Sequence, residues 1–345
     1  MEEKNNAGEK IRWGILGCGK IAHKFANDLK LVDEAVLVAV AARDDARAHT
    51  FAQTYGATDV HTTYESLASS PAVDVIYIAT PHGFHFEHTM LCLRHRKAVL
   101  CEKAFALNRA QAQHMIDYAR AQGVFLMEAF WTKFLPQYSK VLEIILSGVL
   151  GEIQWIQAAF GFRPQPPVAS RIFDPALGGG SLLDIGIYPV FLAQAILGKP
   201  VAIQAMARLH KTGVDEQCVM SLKFAQGALA SLSSTMTAET PVEAVIAGTE
   251  GRLMLKNRFH NAVSTLEVAM GKEDPKPVEV YRETGYGYQF EARHVNQCLR
   301  QGRIESPIMK HADSLALLET LDAIRKAAGI RYDVDIADES TAPLS

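Results

Sequence analysis

Ile11-Arg12-Trp13-Gly14-Ile15-Leu16-Gly17-Cys18-Gly19-Lys20-Ile21-Ala22 decides the fold, because it runs from an apolar strand through a glycine-rich turn straight into a helix. Gly17 permits the tight turn, Gly19 lets the backbone approach a pyrophosphate, and the small Ala22 lets the helix pack on the strand. The pyrophosphate would meet the helix N-terminus at Lys20, Ile21 and Ala22, where free N–H groups and the positive end of the dipole point. Taken alone, the same geometry also suits a flavin, S-adenosylmethionine or a turn that binds nothing.

Outward from this loop, apolar runs of strand length alternate with helical stretches as far as Met127. Ile11–Leu16, Ala35–Ala42, Val73–Ala79, Ala98–Cys101 and Val124–Met127 read as parallel strands buried on both faces. Lys20–Lys30, Ala46–Tyr55, Phe84–Arg94 and Arg109–Gln122 read as the helices between them. After Trp131 the rhythm changes. Glu152–Phe160, Val201–Leu209, Gln217–Phe224, Ala228–Met236 and Val242–Ala247 follow as strands with few helices between, and Cys218, Met220, Leu222 and Phe224 alternate with Gln217, Val219, Ser221 and Lys223. That period of two describes a sheet packed on one face. Helices return at Tyr288–Arg300 and His311–Ala328, and the polar Asp333–Ser345 is expected to fray.

The expected fold is therefore α/β: a doubly wound Rossmann sheet in a dinucleotide-binding domain over 1–130. An α+β domain with a large, mainly antiparallel sheet follows over 131–345, for substrate binding and oligomerisation. A chain of 345 residues suits two cores. The open sheet face predicts a homodimer or higher oligomer.

The bulk numbers narrow the partners. A net charge of -3 with no basic run excludes a polyanion-binding surface, and no stretch of about 18 apolar residues predicts a membrane span. Met1–Asn6 is too polar for a signal peptide, so a cytoplasmic location is expected. The five cysteines are widely spaced and read as reduced thiols, Cys101 as packing. No G-x-S-x-G elbow supports a hydrolase.

The second strand ends at Arg43, 21 positions beyond Ala22, where an NAD site places an acid for the ribose hydroxyls. A guidanidinium there suits a 2′-phosphate and an adenine face, so NADP is the expected cofactor. Asp44 and Asp45 follow and leave NAD use open, and a plain surface arginine is the bland alternative. Later strand ends carry Thr80-Pro81-His82-Gly83-Phe84-His85 and Glu102-Lys103-Ala104, both where open α/β sheets bind ligands. Lys103, leaving a buried strand, is a candidate for a lowered pKa and for holding a substrate oxygen. His82, His85 and His88 are spaced three apart, but no cysteine or carboxylate completes a metal set. Asp184 and Tyr188, four apart, would share a helix face, although Pro189 follows immediately. A buried tyrosine with a satisfied hydroxyl is the alternative for Tyr188. Trp131 and Phe160 are candidates for an apolar substrate wall or for core.

These motifs together resemble the glucose–fructose oxidoreductase and inositol dehydrogenase (Gfo/Idh/MocA) family, and within it the dihydrodiol and NADP-dependent D-xylose dehydrogenase subgroup. The carriers are Gly17-x-Gly19-x-x-Ala22, Thr80-Pro81 with His85, Glu102-Lys103, Met127-Glu128-Ala129-Phe130-Trp131-Thr132, Gly178-Gly179-Gly180-Ser181-Leu182-Leu183-Asp184-Ile185-Gly186-Ile187-Tyr188 and Phe290-Glu291-Ala292-Arg293-His294-Val295. The resemblance spans about Ile11 to Ala328. It implies an NAD(P)-dependent dehydrogenase acting on a small polyol, sugar or diol. It puts Thr80, Pro81, His85, Glu102 and Lys103 beside the cofactor and Lys103, Asp184 and Tyr188 at the reacting centre. Tyrosine stands where many relatives have histidine, which favours the dihydrodiol subgroup. Ala104 replaces a proline common after the lysine, which leaves a cis bond there open. Tyr188 and Lys103 can exchange roles as proton acceptor. A non-catalytic NAD(P)-binding regulator or scaffold is the alternative function.

Overall fold

The computed structural model describes residues 9–166 and 170–335. Met1–Asn6 and most of the tail expected to fray, residues 336–345, lie outside the described residues.

The first unit alternates strand and helix: β1 (Ile11–Leu16), α1 (Lys20–Leu29), β2 (Ala35–Ala41), α2 (Asp45–Tyr55), β3 (Asp59–His61), α3 (Tyr64–Ser69), β4 (Val75–Ile78), α4 (His85–Arg94), β5 (Ala98–Glu102), α5 (Arg109–Gln122) and β6 (Leu126–Ala129). All neighbours pair in parallel, in the order β3-β2-β1-β4-β5-β6. The order reverses at β1, so the crevice for a ligand opens between the carboxyl ends of β1 and β4. β4, β5 and β6 are buried at every position, in keeping with continuously apolar sequences. The short β3 and α3 are additions to the sequence reading, which had no long apolar run to mark them.

The second unit contains α6 (Pro136–Leu146), β7 (Ile153–Gly161), α7 (Ile187–Leu197), β8 (Pro200–Leu209), β9 (Asp215–Phe224), β10 (Leu229–Thr235), β11 (Ala244–Gly248), β12 (Gly251–Lys256), β13 (Thr265–Met270) and β14 (Lys276–Val278), followed by α8 (Tyr288–Arg300) and α9 (His311–Ala328). The eight strands run β14-β13-β12-β11-β7-β10-β9-β8, antiparallel throughout except for the β7–β10 pair. The alternation in β9 places Cys218, Met220, Leu222 and Phe224 inside, as read. The apolar segment Pro175–Leu197 is long enough to cross a membrane by composition, yet 78% of its most apolar window is buried inside the protein. All five cysteines are free and buried.

α8 and α9 return to the first unit and lock its geometry. Asp28, at the end of α1, is buried and accepts the backbone N–H groups of Tyr286, Gly287 and Tyr288 at 2.8–2.9 Å, so it caps the start of α8. Trp13 of β1 donates its indole N–H to Asn296 of α8 at 3.0 Å. Phe25 stacks on Tyr77 at 3.8 Å and meets Tyr288 edge-on. The tail starts pinned rather than frayed, because Asp335 pairs with Arg325 at 2.5 Å and accepts the Tyr332 N–H.

Candidate active site

Gly17 has φ +97°, and a Cβ there would lie 2.9 Å from the Thr80 methyl, so only glycine lets the β1 and β4 loops close on each other. At Gly19 a Cβ would have no neighbour nearer than Ala79 O at 3.9 Å: the loop faces open space ahead of α1. No side chain caps that helix, and Ala22 is fully buried against the sheet. The loop could hold a pyrophosphate, with the N-terminal amides of Lys20, Ile21 and Ala22 uncapped by any side chain among the described residues.

Arg43 is exposed, 5.7 Å above the Phe84 ring. Its charge, with that of Arg47, reaches the Tyr64 hydroxyl, and Arg47 also reaches Cys18 in the glycine loop. Arg47 is a second cation that the sequence reading missed; its position one helical turn beyond Arg43 was the available signal. Asp44 is spent on capping, its carboxylate accepting the Arg47 N–H at 3.0 Å, and Asp45 pairs with His49.

Thr80 and Pro81 form the opposite wall. The three histidines that follow go to separate partners: His82 Nδ1 to Gly178 O, His85 Nδ1 to Ala104 O and Nε2 to Thr80 O, His88 Nδ1 to the Thr80 hydroxyl. His85 sits between the loop after β4 and the loop after β5; burial pushes it down to about 4, so as a neutral ring it donates its single N–H to one of these two carbonyls. Burial, reinforced by Lys103, pushes His82 down to about 3.

Glu102 ends β5 in the interior, accepts a short hydrogen bond from the Tyr77 hydroxyl, and is raised by burial to about 7. The next peptide, Lys103–Ala104, is cis. Lys103 Nζ donates to the Asp184 carbonyl at 2.6 Å, lies 3.4 Å from Asp184 Oδ1, and sits 5.1 Å from the centre of the Tyr188 ring. Burial by itself would lower this ammonium, but Tyr188, Asp184 and Glu102 outweigh it and raise the pKa. That corrects the expectation of a lowered value: the surrounding oxygens favour the charged form strongly enough to overcome desolvation, and the lysine stays cationic. Asp184, which burial would raise, is held below its ordinary value by Lys103 and by Arg171, 3.8 Å away.

Asp184 and Tyr188 do not share one regular α-helix. Asp184 lies in a π-helical turn, Leu182–Gly186, and Tyr188 in the first turn of α7. Pro189 occupies that first turn as well, where a missing donor is tolerated. The wider turn keeps both side chains on Lys103. Tyr188 is buried, and its oxygen accepts the Trp131 indole N–H at 3.0 Å. Burial raises the phenol, while the Lys103 ammonium works in the other direction.

Trp131 and Phe160 both reach this centre, Phe160 at 5.9 Å from the Tyr188 ring. A residue the sequence reading did not single out completes the wall: His260, in the connection after β12, lies 4.4 Å from Tyr188 and 4.5 Å from Phe160, ring to ring. An isolated histidine in an irregular segment carried no pattern that would have found it.

With this geometry in hand, comparison with known proteins is specific. Residues 11–130 match the model of an oxidoreductase family with an NAD-binding Rossmann fold, and residues 138–254 match that of the GFO/IDH/MocA C-terminal domain. The chain is 39% identical to the trans-1,2-dihydrobenzene-1,2-diol dehydrogenase of Mus musculus over 334 residues, covering 94% of this chain and 99% of the relative. The Homo sapiens protein of the same name is 36% identical, with the same coverage. Among solved structures, an aldose-aldose oxidoreductase from Caulobacter crescentus complexed with glycerol superposes with a TM-score of 0.85 at 25% identity, covering 93% of this chain and 98% of that one. KijD10, a 3-ketoreductase from Actinomadura kijaniata in complex with TDP-benzene and NADP, gives 0.83 at 29%, with the same coverage.

Proposed function

We propose a function from one premise: the chain belongs to the GFO/IDH/MocA oxidoreductase family, and is an NAD(P)-dependent oxidoreductase acting between the nicotinamide and a hydroxyl-bearing carbon of a sugar or cyclic diol. Within that class, our reading is an NADP-preferring dehydrogenase of the dihydrodiol or aldose type, with residues 1–130 binding the dinucleotide and 131–345 the substrate. The observation that carries it is the convergence of Lys103, Asp184 and Tyr188 beside the crevice into which the Gly17–Ala22 loop opens.

The nicotinamide, when bound, takes or supplies the hydride at its C4. Tyr188 exchanges the proton of the substrate hydroxyl, since it is the neutral group whose oxygen still has donor capacity. Lys103, held cationic, stabilises negative charge that develops on the substrate oxygen and on Tyr188. Asp184, anchored by Lys103 and Arg171, holds the ammonium in place. Glu102 braces the Lys103 main chain, accepting its N–H at 3.2 Å.

Arg43, with Arg47 beside it, supports NADP over NAD, because both following carboxylates are already engaged. Arg43→Asp is expected to lower the NADP-to-NAD ratio of kcat/KM on the order of 10–100-fold, the worth of one charge-assisted phosphate pair. An unchanged ratio removes Arg43 from cofactor choice.

Met206 and Val219 are register partners across β8 and β9, as are Leu229 and Trp155 across β10 and β7; all four lie on the outer face of the second sheet, each 40–76% exposed. Such an apolar sheet face suits a second copy of the chain. Light scattering should return at least twice 37.8 kDa; a monomer at micromolar concentration overturns this part of the reading. A cytoplasmic location goes with reduced thiols. The decisive experiment is turnover of D-xylose, D-glucose, inositol and trans-dihydrodiols with NADP and NAD. Oxidation of a diol or aldose supports the proposal. Tight NADP binding without turnover of any of them would leave a non-catalytic binder instead.

A further inference from the structure

His260 is held in place yet chemically unspent. Its backbone oxygen accepts the Thr132 hydroxyl at 2.8 Å, which fixes it to the segment carrying Trp131. Its ring is only 5% exposed and packs on Tyr188, on Phe160 and, edge-on at 6.2 Å, on Trp131. Nδ1 is sealed from solvent without any hydrogen-bond partner, and among the described residues nothing bonds to the ring at all. The ring is neutral: burial, then the charges of Lys103 and Arg258, push it down to about 3.

A neutral imidazole carries one N–H and one lone pair. Leaving either unmet in the interior carries a desolvation penalty that phenylalanine in the same stack would not incur. The Trp131 indole N–H donates to the Tyr188 oxygen and is not available to the imidazole. The unpaired ring lies against Tyr188, the residue assigned to the substrate hydroxyl, so a substrate bound there is the group that would meet it. That partner must donate and accept alike, as a hydroxyl does. Two rings in contact at 4.4 Å favour a ligand whose hydroxyls lie close together.

We propose that His260 binds the second hydroxyl of the substrate, the one adjacent to the carbinol that Tyr188 serves, and so makes the enzyme select vicinal diols over single alcohols. This rests on the dehydrogenase reading and names its specificity residue. No proton is transferred to His260; it recognises by hydrogen bonding alone.

The test compares trans-cyclohexane-1,2-diol with cyclohexanol, using NADP and full-length protein. In H260F, which keeps the ring stack, the diol-to-cyclohexanol ratio of kcat/KM falls on the order of 10–100-fold, since a lost hydroxyl contact is read as discrimination. H260Q, which restores a donor and an acceptor, recovers part of the ratio. An unchanged ratio in H260F, whether both activities fall together or neither does, overturns the proposal and leaves His260 as packing. If wild-type protein oxidises no diol and no sugar, the dehydrogenase reading fails separately. Calorimetry of the diol against NADP-loaded wild type and H260F then decides: binding lost in H260F supports the role, and equal or absent binding in both refutes it.

Discussion

Replacing Lys103 with methionine should lower kcat by at least about 100-fold, the scale on which removal of one preorganised charge-stabilising donor is felt. Methionine keeps an unbranched apolar stem in a site where the side chain is 11% exposed, but removes the charge. The Asp184 carbonyl then loses its 2.6 Å donor, and Asp184 retains only Arg171 at the rim. Negative charge forming on the substrate oxygen has no cation to meet it. The dinucleotide loop is untouched, so the dissociation constant for NADP, measured by fluorescence, should stay within about threefold of wild type. A fall in kcat with cofactor binding preserved is the expected split; near wild-type turnover excludes Lys103 from the reaction.

Tyr188→Phe should cost a comparable factor, at least about 100-fold in kcat, because proton transfer by a positioned side chain is worth that much or more. The ring contacts with His260, Phe160 and Phe130 survive the change, so the wall of the site stays. What is lost is one oxygen, and with it the partner of the Trp131 N–H. The pH profile separates a proton carrier from a wall. Burial holds the phenol above its ordinary value, so wild-type oxidation should gain speed as pH rises into the alkaline range, where more tyrosinate is present. Reduction, which needs the neutral phenol, should lose speed over the same range. Both limbs should vanish in Tyr188→Phe. If the phenylalanine variant keeps its alkaline limb, the titrating group is Lys103 and the two roles are exchanged.

The parallel sheet was readable because its strands are apolar on both faces and its loop residues are chosen for backbone reasons: Gly17 by its positive φ, Gly19 by the space before α1, Ala22 by close packing. β12, β13 and β14 escaped notice. They are short, and their half-buried faces mix Arg252, Lys256 and Glu267 with apolar residues, which blurs a period of two. α7 escaped for the opposite reason: it is apolar on every side and so has no amphipathic period. Direction was also hidden, since alternation names the buried face of β7 and β10 but not that they run parallel.

By itself the sequence determined which unit binds a dinucleotide, because that local geometry is written in nearby residues, and the family its motifs resemble pointed to Lys103, Asp184 and Tyr188. Only the tertiary structure decided their state: that Lys103 is cationic rather than depressed, that Asp44 caps a helix instead of waiting for a ribose, and that His260 joins the site from far along the chain. Charge state and unmet hydrogen bonds depend on what surrounds a group in space, and that is a sum over all the elements that fold around it.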